Sequence, residues 1–148
     1  MDGREQFAQV LAEFGEKMGS GLKLVDDRCN FTVDGEVEVE IDYYPDSEML
    51  VAWSTVGELP KDELSGPRAL ALLSMNGLEE GHAGFTISMD AATRRVVAHD
   101  RRGTEVVDSA DRLAMWIDAL VSLVKGIRAE FAAKFPFDGD GAEEEKED

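Results

Sequence analysis

Cysteine is almost absent: Cys29 is the only one in 148 residues, so no internal disulfide can form. One thiol with two histidines, His82 and His99, is too small a donor set for a structural zinc site. That usage fits a reducing, cytoplasmic setting. No apolar run approaches the roughly 18 residues of a membrane span. The opening Met1-Asp2-Gly3-Arg4-Glu5-Gln6 lacks the basic stretch and apolar segment of a secretory leader, so neither insertion nor export is expected. Positive charge is scarce: 15 Lys and Arg stand against 32 Asp and Glu, a net charge of -17. A field of that sign repels phosphate backbones and anionic headgroups, which argues against nucleic acid and the membrane surface as partners. A glycine-rich phosphate loop, a nucleotide fingerprint and metal-ligand spacing are also missing, and no cofactor is expected.

What is present suffices for one core. A chain of this length can bury about 68–70% of its unfolded surface, and 43% apolar residues set it apart from disordered sequences. Phe7, Val10, Leu11, Phe14 and Met18 recur at spacings of 3, 1, 3 and 4, opposite Glu5, Gln9, Glu13 and Lys17. This predicts an amphipathic helix ending near Gly19 or Gly21. Cys29, Phe31 and Val33 then alternate with polar residues up to Asp34-Gly35, a pair suited to the positive φ angles of a type I′ turn. The return strand, residues 36–44, sets Val37, Val39 and Ile41 against Glu36, Glu38, Glu40 and Asp42. A third strand over 49–56 carries apolar groups on both faces. A connecting loop of even length pairs Leu50, Ala52 and Ser54 with Ile41, Val39 and Val37 and turns Met49, Val51 and Trp53 to the carboxylate side. An odd loop exchanges the two sets.

Ser65-Gly66-Pro67 predicts a helix start with proline at the first helical position, and Asn76-Gly77 its end. Ala69, Leu70, Ala71, Leu72, Leu73 and Met75 cover the whole circumference of that short helix, which implies a second covering surface. Phe85, Ile87 and Met89 mark a fourth strand, and residues 94–101 a fifth after a turn at 90–93. Asp108 or Ser109 caps a last helix whose Leu113, Ile117, Leu120, Val124, Ile127, Phe131 and Phe135 step by 4, 3, 4, 3, 4 and 4 before Pro136 stops it. The order αβββαββα, with two hairpins, predicts an α+β domain over residues 1–137: a mostly antiparallel twisted sheet with packed helices. Residues 138–148 hold seven acids and one lysine, a charge of -6 that leaves -11 on the domain, and read as a disordered acidic tail.

Each candidate for chemistry has a plainer structural reading. His82 or His99 could act as base to a Cys29 nucleophile, yet Cys29 stands on the inward side of its strand, where a small buried hydrophobe is the ordinary explanation. Ser-x-x-Lys occurs at Ser20 to Lys23 and at Ser122 to Lys125, in both cases without companion motifs. Asp138-Gly139-Asp140-Gly141 opens like a calcium loop, but Ala142 fills its fifth position and no glycine its sixth. The stripe Glu36, Glu38, Glu40, Asp42 is either a cation surface or the wet face of a sheet. By themselves the residues describe an acidic, oligomeric α+β domain without visible catalytic machinery.

The run Val56-Gly57-Glu58-Leu59-Pro60, followed by a short helix with Leu72-Leu73 and Asn76 and a strand closing on Asp90, resembles the class I type III secretion chaperones, the Tir-chaperone family. The resemblance extends over residues 5 to 135 and includes the opening helix and Gly21-Leu22; Val56 replaces the usual leucine of the Leu-Gly-x-Leu-Pro-like segment. It implies a homodimeric, ATP-independent chaperone of the bacterial cytoplasm, not an enzyme. Such a protein binds an extended N-terminal segment of an effector, keeps it secretion-competent and delivers it to the secretion apparatus, whose ATPase is a further candidate partner. The resemblance also implies dimerisation through the middle helix, here Leu70, Leu72, Leu73 and Met75. Cargo contacts would come from the first helix and the sheet, here Phe7, Leu11, Phe14, Met49, Val51 and Trp53. A protein-binding or regulatory module of the same fold, not dedicated to secretion, is the alternative.

Because the tail has no large apolar side chain to bury, deleting residues 138–148 should leave the melting temperature and the light-scattering mass nearly unchanged. A loss of more than a few degrees would contradict this.

Overall fold

Within residues 2–76 and 84–134, which the computed structural model describes, the chain forms the eight predicted elements in the predicted order. Phe135, Pro136, His82 and the acidic tail lie outside the described residues. Asp2 opens α1 (Gly3–Met18) by accepting the Glu5 N–H at 2.8 Å, and Gly19, at φ 75°, closes it in the left-handed region that glycine enters without strain. β1 (Arg28–Val33) and β2 (Val37–Tyr44) are joined as the Asp-Gly pair predicts. Asp34 and Gly35 both have positive φ, and the Glu36 N–H reaches the Val33 carbonyl at 3.1 Å.

β3 (Met49–Glu58) returns over a four-residue loop, so the even-length alternative holds and Met49, Val51 and Trp53 share a face with Glu40 and Asp42. The register differs from the expected one by two residues: Ile41 faces Ala52 and Tyr43 faces Leu50. Glu48, at φ 53°, lets the chain turn back immediately, so Tyr44 already pairs with Met49. A slip of two keeps every side chain on its face.

α2 (Ser65–Ser74) begins two residues before Pro67. The proline therefore lies within the first turn, whose N–H groups have no intrahelical acceptor in any case. β4 (Thr86–Met89) and β5 (Arg95–Gly103) form the second hairpin, and β5 pairs with β3, giving an all-antiparallel order β1-β2-β3-β5-β4. Ser109 rather than Asp108 caps α3 (Ala110–Lys134) by accepting the Arg112 N–H at 3.1 Å, while Asp108 pairs with the Arg112 guanidinium at 3.0 Å.

The core lies between one sheet face and α3, with α1 packed on α3. Val37, Val39 and Ile41 of β2, Leu50, Ala52 and Val56 of β3, and Val96 and Ala98 of β5 are all buried there. The heptad-like steps of α3 predict its buried side but pass over Trp116, one of the largest buried side chains. The Trp116 indole N–H donates to Asp100 Oδ2 at 2.9 Å, and Arg102 lies 5.3 Å from the ring centroid, so β5 supplies the polar groups that let an indole sink into the core.

Between Thr55 and Gly57 the register of β3 on β5 slips. On its other side the pairing of β3 with β2 ends at Trp53 opposite Glu40, and Arg128 of α3 supplies donors to main-chain carbonyls beyond that point. Its Nη2 donates to the Thr55 carbonyl at 3.0 Å, its Nε to the Val56 carbonyl at 3.0 Å, and its Nη1 to the Glu36 carbonyl at 2.9 Å. Hydrogen bonds from a charged donor are worth about 1.5–3 kcal/mol each, less where water can replace the donor. Arg128→Met should therefore lower unfolding free energy in urea by about 2–3 kcal/mol in total; an unchanged midpoint would show that the carbonyls do not need the guanidinium.

Candidate functional site

The strand pattern leaves one face of the sheet turned away from α3. On β3, the inward Leu50, Ala52, Ser54 and Val56 alternate with half-buried Met49, Val51, Trp53 and Thr55. β2 places Glu38, Glu40, Asp42 and Tyr44 on the same side, and β5 places Val97, His99 and Arg101 there through the pairs Thr55 with Val97, Trp53 with His99 and Val51 with Arg101. The result is an apolar seam along β3 between charged neighbours. Asn30, Thr32, Glu38, Glu40, Trp53 and Thr55 line a shallow trough of about 470 Å³ beside it.

Trp53 is held at this face by polar bonds. Its indole N–H is shared between Glu40 Oε2 at 3.0 Å and Asp42 Oδ2 at 3.1 Å, two carboxylates that the period of β2 sets side by side. Burial pushes the Glu40 carboxyl above its ordinary range, and the adjoining Asp42 adds to the shift, while the Trp53 N–H opposes it. Across the seam, Ser88 Oγ lies 2.7 Å from His99 Nε2.

The expected cargo contacts separate into two groups. Met49, Val51 and Trp53 come together on the open face. Phe7, Leu11 and Phe14 do not join them: the first two are completely buried and Phe14 nearly so, its ring 5.8 Å from that of Phe31 of β1. The expected placement of these three on a cargo-facing surface differs from the structure, in which the domain uses that stripe to close its own core. Met18, at 38% exposure, is the accessible member of the stripe.

The middle helix divides similarly. Leu72 belongs to the core and Met75 is half-buried, whereas Leu70 and Leu73 are 69% and 68% exposed and adjacent on the helix surface. Two polar contacts that sequence reasoning did not anticipate fix this helix to the second hairpin. Arg94, at φ 62°, donates to the carbonyls of Leu59 and Pro60 and to Ser65 Oγ. The Asn76 amide takes both main-chain groups of Ile87, at 2.7 and 2.8 Å. Asn76 carried a sequence signal only as a helix end; Arg94 carried none.

A Cys29–His99 pair cannot form, since Cys29 is buried on the core side of β1 and His99 stands on the open face of β5, with β2 and β3 between them. Burial also pushes the Cys29 thiol up, away from the thiolate a nucleophile needs. Lys125 is engaged by Asp34 at 2.7 Å and Glu36 at 3.1 Å rather than by Ser122. Among the described residues no group of three or more His, Cys, Asp or Glu is arranged to hold a metal ion, and no helix is long and apolar enough to cross a membrane.

The fold is thus an α+β domain with a five-stranded antiparallel sheet, α3 with α1 on one face and an apolar seam on the other. The sequence matches the profile of the Tir chaperone protein (CesT) family over residues 9–128, and the chain belongs to that family of type III secretion chaperones. Similar solved folds include a chain of the HopA1–SchA chaperone–effector complex, with a TM-score of 0.66 and 17% identity, covering 85% of this chain and 96% of that one. The Yersinia pestis type III secretion chaperone SycH, solved with a fragment of YscM2, aligns with a TM-score of 0.62 and 16% identity over 81% of this chain and 98% of that one. The ExoU–SpcU complex of Pseudomonas aeruginosa aligns with a TM-score of 0.62 and 19% identity over 78% and 92%. No curated protein matches the sequence.

The raised Glu40 value has a stability consequence. The folded chain holds that proton more tightly than the unfolded chain does, so ionisation opposes folding at neutral pH, and the opposition disappears as pH falls through the raised value. Glu40→Gln should raise the urea midpoint at pH 7 and give no advantage below the ordinary carboxylate range. An equal gain at both pH values would contradict the assignment.

Proposed function

We propose that the protein is a homodimeric cytoplasmic chaperone for a type III secretion effector. It binds an extended segment near the N-terminus of the effector, keeps it secretion-competent and delivers it to the secretion apparatus, with the apparatus ATPase as the receiving partner. The observation that carries this reading is the apolar seam of Met49, Val51 and Trp53 left uncovered in a member of the Tir chaperone family. Support comes also from the HopA1–SchA structure, a complex of an effector with a chaperone of this fold.

The physical case rests on two apolar surfaces that the protomer does not cover. Leu70 and Leu73 project together from α2, and burying a leucine side chain contributes about 1.5–3 kcal/mol. A two-fold contact counts each of them twice, which favours self-association through α2. Met49, Val51 and Trp53 form the second surface, suited to an extended partner whose alternate side chains can lie along a strand. Coupled ordering of such a segment usually buries about 1,000–3,000 Å² and gives up several kcal/mol to chain entropy, so affinity is spread over many contacts.

Light scattering tests the dimer: the wild-type mass should be twice 16.2 kDa, and Leu73→Glu, which sets a carboxylate into the contact, should yield monomer or aggregate. The cargo site is tested by pull-down from the native cytoplasm with mass spectrometry. Trp53→Ala should keep the dimer mass and lose an effector that the wild type retains. A wild-type mass of one chain would overturn the dimer, and full cargo retention by the Trp53 variant would overturn the site.

A further inference from the structure

The open face is electrically two-sided. Glu38, Glu40 and Asp42 stand along β2, Arg95 and Arg101 along β5, and the seam of Met49, Val51 and Trp53 runs between them. Neither Arg95 nor Arg101 forms an ion pair among the described residues, although acids outnumber basic residues 32 to 15 over the whole chain. The acidic flank also has spare acceptor capacity. Asp42 gives one oxygen to the Trp53 indole, while its Oδ1 is shielded from solvent and accepts no hydrogen bond, with Arg28 Nε still 3.9 Å away. A shielded carboxylate oxygen without a donor is costly and gains most from a new cationic one. Beside it lies the ring of Trp53, whose face attracts cations.

We propose that this face selects its occupant by charge: an extended effector segment that lays apolar side chains on Met49, Val51 and Trp53 and sets a lysine or arginine beside Glu40, Asp42 and the Trp53 ring. Acidic side chains of the same segment fall on the β5 side, at Arg95 and Arg101. The proposal rests on the chaperone reading above and adds to it the chemical character and lateral orientation of the cargo. The net charge of -17 acts in the same sense at long range, drawing a basic segment in and repelling an acidic one.

Three synthetic peptides test it, sharing the same alternating valine and leucine positions and carrying lysine, serine or glutamate at the positions between. Affinity is read by fluorescence anisotropy and location by the NMR resonance of the Trp53 indole N–H, assigned with Trp53→Phe. The lysine peptide should bind about tenfold tighter than the serine peptide, a difference of about 1.4 kcal/mol, and the glutamate peptide more weakly than either. The lysine preference should shrink in high salt and fall to within about twofold in the double variant Glu40→Gln, Asp42→Asn; Glu40→Gln alone serves if the double variant does not fold. Equal binding of lysine and serine peptides, with the indole resonance shifted by both, would overturn charge selection while leaving the open face as the docking site. Failure of all three peptides to move that resonance would overturn docking there altogether. A lysine preference undiminished in the folded carboxylate variants would place the cation elsewhere and refute the assignment.

Discussion

The register of β3 is the constraint on which the other layers depend. It is the middle strand of five, hydrogen-bonded to β2 on one side and β5 on the other. Its two faces therefore decide both what α3 packs against and what a partner meets. A slip of one residue would send Met49, Val51 and Trp53 into the core and bring Leu50 and Ala52 to the surface. The loop that prevents this is held at several points. Glu48 adopts positive φ, its carboxylate accepts the Gly3 N–H at the start of α1 at 3.1 Å, and its carbonyl accepts the Thr104 N–H just after β5 at 3.2 Å. Even the polar inward residue is satisfied, since the Ser54 hydroxyl donates to the Glu38 carbonyl at 2.6 Å.

Long side chains do much of the work at the ends of the elements. Arg128 covers the carbonyls of Thr55 and Val56 beyond the end of the β2–β3 pairing, and Arg94 joins the Leu59-Pro60 turn to the start of α2. Asn76 hydrogen-bonds both main-chain groups of Ile87, so part of the outer edge of β4 is occupied by a residue just past the end of α2. The middle helix is thus attached to the second hairpin at both ends, while its outer leucines remain free to meet another surface.

These features place stability and binding in different residues. The apolar stripe of α1 closes the core, as the burial of Phe7 and Leu11 requires, and apolar groups left uncovered include Leu70 and Leu73 of α2 and the seam of β3, with Val25, Val106 and Met115 also exposed. A strong net negative charge offsets the association hazard that such groups carry. Trp53 shows the arrangement locally: two carboxylates hold its N–H, so the ring is positioned at the surface without being absorbed into the core.

Alternation and helical period, both local properties, were enough to determine the element order, the α+β class, the Asp34-Gly35 turn and the acidic stripe of β2 from the sequence, and the Val56 to Pro60 run pointed to the family. The face of Trp53 was left open, because the parity of a loop is decided by where the chain turns back, and that depended on Glu48. Trp116 escaped the helical pattern since its burial needs Asp100 and Arg102 from a distant strand. Likewise, Phe7, Leu11 and Phe14 form the same stripe whether they face a partner or a core. Only the tertiary packing of α1 against α3 decided between the two, because amphipathic spacing specifies that a face will be covered and not by what.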